Sequence, residues 1–361
     1  MSYPVSTVSL PDLPHTDRPF LRSPQRSDGS FHNPWDTPPI VGPTDVLKWK
    51  LTQTNPFGAD KRSRAPWLPT VSDGADTWKA VPDGFRVQWL GHASVLIELA
   101  GVHILIDPVF GSAGPGVFRA VDATRLPPDL PRIDAVLVTH GHYDHLDRAS
   151  IAAVCKRFPE ALVVAPVGQA KSLPAAARNV VSLSWWQSVT VRDVELVLTP
   201  AQHWHLRRPW DRNRALWGGY FVRGPARPDG TRPGVYHTGD TGWFDGFRVI
   251  RAVLGAPDIA VLPLGAYEPR WFMGGQHMPP EDAAQAFVDL QAGHFVGMHW
   301  GTFDLSDEPL DQGARTLLPR ITRERGLDPD RIHALAHGGV LSVAADGSLA
   351  GEAGRQALPS P

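Results

Sequence analysis

From Phe85 onward the chain alternates between short runs of aliphatic and β-branched residues and brief interruptions at Gly, Pro and Asp. The runs FRVQWL, SVLIEL, VHILID, DAVLVTH, ALVVAP, VELVLTP, GVYHTGD, DIAVLPLG and HFVGMHW each predict a strand. Helical stretches lie between some of them, at about 148–157, 244–255, 280–292 and 308–325. The last sets Leu310, Ala314, Leu317, Leu318 and Ile321 on one apolar stripe, as a helix facing a core requires. Early strands follow one another as hairpins and later ones alternate with helices. That mixture predicts an α/β fold of four layers, two sheets face to face with helices outside. No internal repeat is visible.

Residues 1–80 read differently. They hold twelve of the chain's 36 prolines. Because proline lacks an N–H donor and opposes helix continuation, this stretch is expected to be extended, turn-rich or partly disordered. Its helical piece is TDVLKWKLTQ, with Thr44 or Asp45 as cap and Leu47, Trp49 and Leu51 set among lysines. A helix docked on the main domain is expected there rather than a membrane anchor. The chain then divides into an N-terminal extension over 1–80, one folded domain over 81–345 and a C-terminal tail over 346–361.

Composition narrows the function classes. With 361 residues and 42% hydrophobic content the chain can bury a sizeable core, and a formal charge of −2 offers no basic field for nucleic acid. The single cysteine, Cys155, excludes an internal disulfide framework and fits a reducing compartment. The first twenty residues lack a signal-peptide pattern, and no run reaches about 18 apolar residues. A cytoplasmic protein without a signal peptide or transmembrane segment is expected.

Candidate chemistry concentrates in LVTHGHYDHLD, Leu137 to Asp147. The apolar run before it predicts a buried strand, so His140, His142, Asp144 and His145 sit on a loop leaving the end of a sheet, where function commonly resides. Neutral imidazoles and a carboxylate are the usual donors for zinc and similar divalent ions, and alternate residues of an extended segment can point the same way. Four donors do not complete two sites, and further candidates emerge where other apolar runs stop: His203 after VELVLTPAQ, Asp240 after GVYHTG and His299 after HFVGM.

His140, His142, Asp144 and His145 match in full the H-x-H-x-D-H motif of the metallo-β-lactamase superfamily, which the chain resembles. The resemblance implies an αββα sandwich with a dinuclear metal site at the sheet ends. By position, His140, His142 and His203 would hold one Zn2+ and Asp144, His145 and His299 the other, with Asp240 bridging them; other divalent metals suit the same donors. A bound metal lowers the pKa of its water to about 7, so a water between two such ions would supply a hydroxide near neutral pH.

Longer stretches point to one branch of that superfamily. LGAYEPRWFMGGQHMPPEDA (264–283) and MHWGTFDLSDE (298–308) are similar to the N-acyl-phosphatidylethanolamine-hydrolysing phospholipase D family. So are WLGHASVLIE, LIDPVF, TPAQHW, ALWGGY and GDTGW, and in the extension FHNPWDTP and DVLKW. The resemblance runs from about Phe31 to Gly338, loosening only between Phe110 and Ile133. It implies hydrolysis of a phospholipid phosphodiester, releasing an N-acylethanolamine and leaving phosphatidic acid. It also implies peripheral contact with the inner face of the membrane and allows a homodimer. Asp144, Asp240 and His277 are the residues expected to act in the chemistry, His277 as a phosphate contact or proton donor. Asp107 in LIDPVF is expected to orient a histidine ligand. Gln276, Arg270, Trp271 and Phe272 are expected to meet substrate. Trp185, Trp186, Trp204, Trp217, Trp243 and Trp300 lie close to these motifs in sequence, and core packing is the expected role for most. RRPWDRNR (207–214) is expected to be a solvated loop able to meet anionic headgroups. The competing expectation is a hydrolase of the same fold acting on a small soluble ester, lactone or phosphodiester.

Overall fold

The computed structural model describes residues 3–38, 42–71 and 84–355. The expected boundary at 80/81 and the end of the 346–361 tail lie outside these residues. In chain order the strands are β1 (Val5–Thr7), β2 (Phe85–Gly91), β3 (Ser94–Leu99), β4 (Val102–Ile106), β5 (Ala135–Leu137), β6 (Leu162–Pro166), β7 (Asn179–Leu183), β8 (Gln187–Val191), β9 (Val194–Thr199), β10 (Gly219–Arg223), β11 (Gly234–His237), β12 (Ile259–Pro263), β13 (His294–Met298), β14 (Ile332–His333), β15 (Leu335–Val343) and β16 (Leu349–Arg355). The α-helices are α1 (Pro43–Thr52), α2 (Gly58–Ser63), α3 (Arg148–Arg157), α4 (Gly246–Leu254), α5 (Arg270–Met273), α6 (Pro280–Leu290) and α7 (Leu318–Glu324). Each of the nine runs named above forms a strand.

One sheet has the order β16-β15-β2-β3-β4-β5-β6-β7 and the other β1-β8-β9-β10-β11-β12-β13-β14. Each is antiparallel in one half and parallel in the other, the parallel parts being β4 to β7 and β11 to β14. The strands alternate residues between two buried faces, as sheets covered on both sides must. Ile104, Ile106, Leu137 and Val164 enter the core between the sheets, whereas Leu105, Val136 and Val163 enter an outer core with Ile151 and Val154 of α3. Tyr220 crosses the inner core, its hydroxyl 3.2 Å from the carbonyls of Val138 and Val164. On the second sheet α6 packs against β12 and is flanked by α4 and α7. This is the αββα sandwich.

The topology gathers several strand ends on one edge. Strands β9 and β11 both pair antiparallel with β10, so they run the same way, and β12 and β13 continue in parallel. On the facing sheet β4 and β5 are also parallel neighbours. His203, Asp240, His299, Asp107 and His140 follow the C-terminal ends of β9, β11, β13, β4 and β5.

Three regions depart from the sequence pattern. The extension is turn-rich yet packed: β1 pairs with β8, Phe20 and Phe31 are buried, and Trp35 stacks on Trp185 and Phe244 at 5.5 and 5.0 Å. Helix α1 is capped earlier than expected, at Gly42 rather than Thr44 or Asp45, and the Gly42 N–H donates to Asp45 Oδ2 at 2.7 Å. The helix expected over 308–325 begins with a π turn at Gly313–Leu317 before α7. A side chain at Gly313 would stand 1.9 Å from the Leu264 carbonyl oxygen, which fixes how closely this segment approaches the sheet.

At the other end, part of the expected tail is β16, paired with β15 and completing the edge of the first sheet. Its sequence, LAGEAGR, is too small and polar to stand out as a strand. No helix among the described residues is long and apolar enough to cross a membrane. Truncation after Ala345 would expose the edge of β15, so the melting temperature should fall by about 5 °C or more. An unchanged melting curve would return the segment to the status of a tail.

Candidate metal centre

Two sets of side chains converge at the edge just described. In the first, His140 Nε2 and His203 Nε2 lie 2.9 and 3.2 Å from His142 Nδ1. In the second, His145 Nε2 and His299 Nε2 are 3.4 Å apart and each is 3.6 Å from Asp144 Oδ2. Asp240 stands between the sets. Its Oδ2 is 3.7 and 3.9 Å from the Nε2 atoms of His140 and His203 and 3.1 Å from His145 Nε2, and its Oδ1 is 3.2 Å from His299 Nε2. Ligand atoms about 2.0–2.1 Å from a tetrahedral ion sit roughly 3.3–3.4 Å from one another, so these separations suit divalent ions.

Hydrogen bonds at the far nitrogens aim the near ones. His145 Nδ1 donates to Asp107 Oδ2 at 2.7 Å, and His203 Nδ1 donates to the Gln276 carbonyl at 3.1 Å. Thr139 Oγ1 donates to Asp107 Oδ2 at 2.5 Å and therefore accepts from His140 Nδ1 at 3.0 Å. With Nδ1 engaged in these bonds, the three Nε2 atoms are the ones turned inward. Asp107 thus orients one histidine of each set. It is fully buried, also accepts the Thr139 N–H, and is held at φ 43°. His92 and His299 are likewise in the left-handed region, at φ 51° and 62°. Such strain is costly for side-chain-bearing residues and collects at functional sites.

The loop from His140 to Asp147 is clamped at both ends. Asp147 caps α3 by accepting the N–H groups of Ala149 and Ser150. Arg207 donates to the carbonyls of Gly141 and Leu146 at 2.9 and 3.0 Å. The 207–214 segment is therefore not simply a solvated basic loop: Arg207 serves the cluster from behind, while Trp210 stands 76% exposed.

Charge divides the cluster. Burial lowers His140 and His203 well below the ordinary imidazole range and pushes His142 down to about 4, so these three stay neutral. For His145 and His299 burial acts in the same direction but is outweighed by Asp240 and Asp144, which raise both, His299 to about 9. Burial alone would raise Asp144 and Asp240; the charge of His145 and its neighbours reverses this and holds both well below the usual carboxylate range. His142 Nε2, Asp240 Oδ1 and His299 Nδ1 are buried without a hydrogen bond. Imidazole nitrogens and carboxylates converging in a buried cluster are a donor set for metal, and the residues present fit it.

Above the cluster lies an open cleft of about 230 Å3. Cluster members His142, Asp144, Asp240 and His299 form its floor, and Trp204, Leu206, Phe272, Met273 and Leu305 supply apolar walls. Gln276 and His277 also line it, with Gln276 Oε1 and His277 Nδ1 buried and unpartnered. His277 Nδ1 is 3.9 Å from Asp240 Oδ2, and burial pushes its pKa down to about 4.

The structure therefore brings together all seven residues expected as ligands, with Asp107 beneath and Gln276, His277 and Phe272 in the cleft. Two expected substrate residues sit elsewhere. Arg270 turns its guanidinium to the carbonyls of Tyr267, before α5, and His277, after it, at 3.3 and 3.4 Å, and so ties the two ends of this segment together. Trp271 is 43% exposed on the outer side of α5, its indole N–H donating to Gln53 Oε1. Trp185, Trp186, Trp217 and Trp300 are core residues, as expected.

His92 was missed. It lies in the β2–β3 turn with Nε2 2.9 Å from Asp144 Oδ2 and its ring 3.9 Å from that of His299, and it belongs geometrically with Asp144, His145 and His299. The WLGHAS stretch carried the signal, but a single histidine between two hairpin strands gives no spacing to read.

A model of the β-lactamase superfamily domain matches residues 103–300. The chain is 33% identical over 323 residues to N-acyl-phosphatidylethanolamine-hydrolyzing phospholipase D 1 of Caenorhabditis elegans, covering 82% of this chain and 88% of that protein. It is 34% identical over 251 residues to a UPF0173 metal-dependent hydrolase of Methanopyrus kandleri, covering 67% of this chain and 94% of the other. Among solved structures, the metallo hydrolase Igni18 of Ignicoccus hospitalis superposes with a TM-score of 0.54 at 22% identity, over 72% of this chain and 98% of that one.

Asp107→Asn removes an acceptor that serves both sets. Metal affinity should fall about 10–100-fold, as losses of such supporting carboxylates do, with the fold retained. Competition against a chromogenic chelator measures this, and unchanged affinity would deny Asp107 its orienting role.

Proposed function

Because the chain belongs to the metallo-β-lactamase superfamily, we propose that it is a dinuclear zinc phosphodiesterase of the phospholipase D type, hydrolysing N-acyl-phosphatidylethanolamine or a related phospholipid. The observation that carries this reading is the placing of an apolar-walled cleft directly over a complete His/Asp donor set. The similarity to the Caenorhabditis elegans phospholipase supports the substrate class.

His140, His142 and His203 would hold one ion and Asp144, His145 and His299 the other, with Asp240 facing both sets. Divalent ions held there would supply charge neutralisation for the phosphate and a water of lowered pKa. The new bond is between that water's oxygen and phosphorus, and the bond broken joins phosphorus to the ethanolamine oxygen. The water's proton ends on the departing alkoxide, giving the N-acylethanolamine and phosphatidic acid. His277, whose buried Nδ1 stands in the cleft 3.9 Å from Asp240 Oδ2, contacts the phosphate or donates a proton to the leaving group. The Gln276 side chain, with its buried oxygen unpartnered, orients the headgroup amide. Trp204, Phe272, Met273 and Leu305 exclude water and receive apolar groups.

The partner is a lipid interface at the cytoplasmic face of the membrane. Leu51 on α1, Trp271 on α5 and Trp210 are exposed on segments that border the cleft residues, and Lys48 lies 5.5 Å over the Trp271 ring. Aromatic bodies with polar tips beside cations suit a headgroup boundary. A second reading, a small soluble ester, lactone or phosphodiester, is favoured by the modest cleft volume of about 230 Å3.

Metal-loaded protein given N-acyl-phosphatidylethanolamine in mixed micelles should release an N-acylethanolamine and phosphatidic acid, identified by mass. Asp240→Asn should lower that rate at least about a hundredfold, since it removes the shared charge between the ions. Turnover confined to soluble esters, lactones or phosphodiesters would replace the lipid reading with the second one.

A further inference from the structure

The N-terminal extension reaches the cleft wall. Trp49 of α1, 5% exposed, forms an apolar cluster with Phe272 and Met273, both of which line the cleft. Its ring centroid lies 5.2 Å from that of Phe272, and its indole N–H donates to Asp307 Oδ2 at 2.9 Å. Asp307 in turn links two segments that line the cleft. Its N–H donates to the Glu268 carbonyl at 3.1 Å, just ahead of α5, and two residues before it Leu305 also lines the cleft.

Neighbouring contacts fasten the same region. Asn55 Nδ2 donates to the Asp307 carbonyl at 2.9 Å, and Arg64 forks onto Asp311 at 2.7 and 2.9 Å. None of these bonds involves a member of the His/Asp cluster. The part of the extension from α1 to Arg64 is thus coupled to the cleft's apolar walls, whereas earlier in the extension Asn33 Nδ2 donates to the His203 carbonyl at 3.2 Å. Helix α5 spans only four residues and Met273 is flexible in itself, so the position of this wall depends on what packs behind it.

We propose that Trp49 is a positioning residue for the apolar part of the substrate: it fixes Phe272 and Met273 so that the cleft discriminates among chains by length, while the metal centre is unaffected. This rests on the reading of the cleft as the substrate site. Truncating Trp49 leaves a cavity behind α5 into which Phe272 and Met273 relax, and the wall withdraws from a bound chain.

The test is the binding of n-alkylphosphonates to the metal-loaded full chain, followed by calorimetry. In the wild type, affinity should rise about three- to fourfold for each methylene buried. Trp49→Ala should weaken octylphosphonate at least about tenfold through loss of wall contacts, with methylphosphonate changed by less than about twofold. Trp49→Phe keeps a ring but gives up the N–H, and should show the same asymmetry at about threefold, the scale of one hydrogen bond. It carries the test should the alanine variant not fold. Equal losses for both phosphonates, no loss for either, or a wild type without chain-length dependence would each overturn the proposal. Chain binding that responds to Trp49 in a protein inert toward phospholipids would remove the phospholipase reading and leave the positioning role standing.

Discussion

Asp240 occupies a position that the rest of the molecule is built to support. Its carboxylate is buried at 4% exposure, within 4 Å of histidines from both sets. A buried anion costs on the order of several kcal/mol in lost hydration unless charge is supplied to it. The fold meets that demand by ending β5, β9, β11 and β13 at one edge, each delivering a donor. It then locks the donors from behind with Asp107, Thr139, the Gln276 carbonyl and Arg207.

Much of this was legible in the chain. Strands such as VHILID and DIAVLPLG are buried on both faces and therefore read as unbroken apolar runs, and the donors stand where those runs stop. The strands that escaped notice lack this signal for identifiable reasons. Strands β7 and β8 are five residues long and mix exposed and half-buried positions with buried ones, β15 is interrupted by Gly338 and Gly339, and β16 carries little apolar surface. Their pairing depends on neighbours distant in sequence. His92 escaped for a similar reason, since only tertiary packing brings its turn to Asp144. The roles of Arg207 and Arg270 were hidden because an arginine that satisfies backbone carbonyls looks, in sequence, like one awaiting an anion.

The extension changes the picture of the domain. Proline-rich and irregular, it reads as an appendage, yet Phe20, Phe31 and Trp35 pack against the second sheet's core and α1 backs the cleft wall. The catalytic edge is supported by the two sheets from below and by the extension from one side. The cluster belongs to the strand ends, whereas the cleft walls are shared between Trp204 and Leu206, next to His203, and the residues of α5 and the 304–311 loop that α1 packs behind.

X-ray absorption at the zinc edge of the metal-loaded chain, combined with elemental analysis, addresses the shared carboxylate most directly. A centre bridged by Asp240 gives two metal equivalents per chain and a metal–metal scattering feature at about 3.5–4 Å, which Asp240→Asn abolishes. A single equivalent, or two without any metal–metal feature, would contradict it.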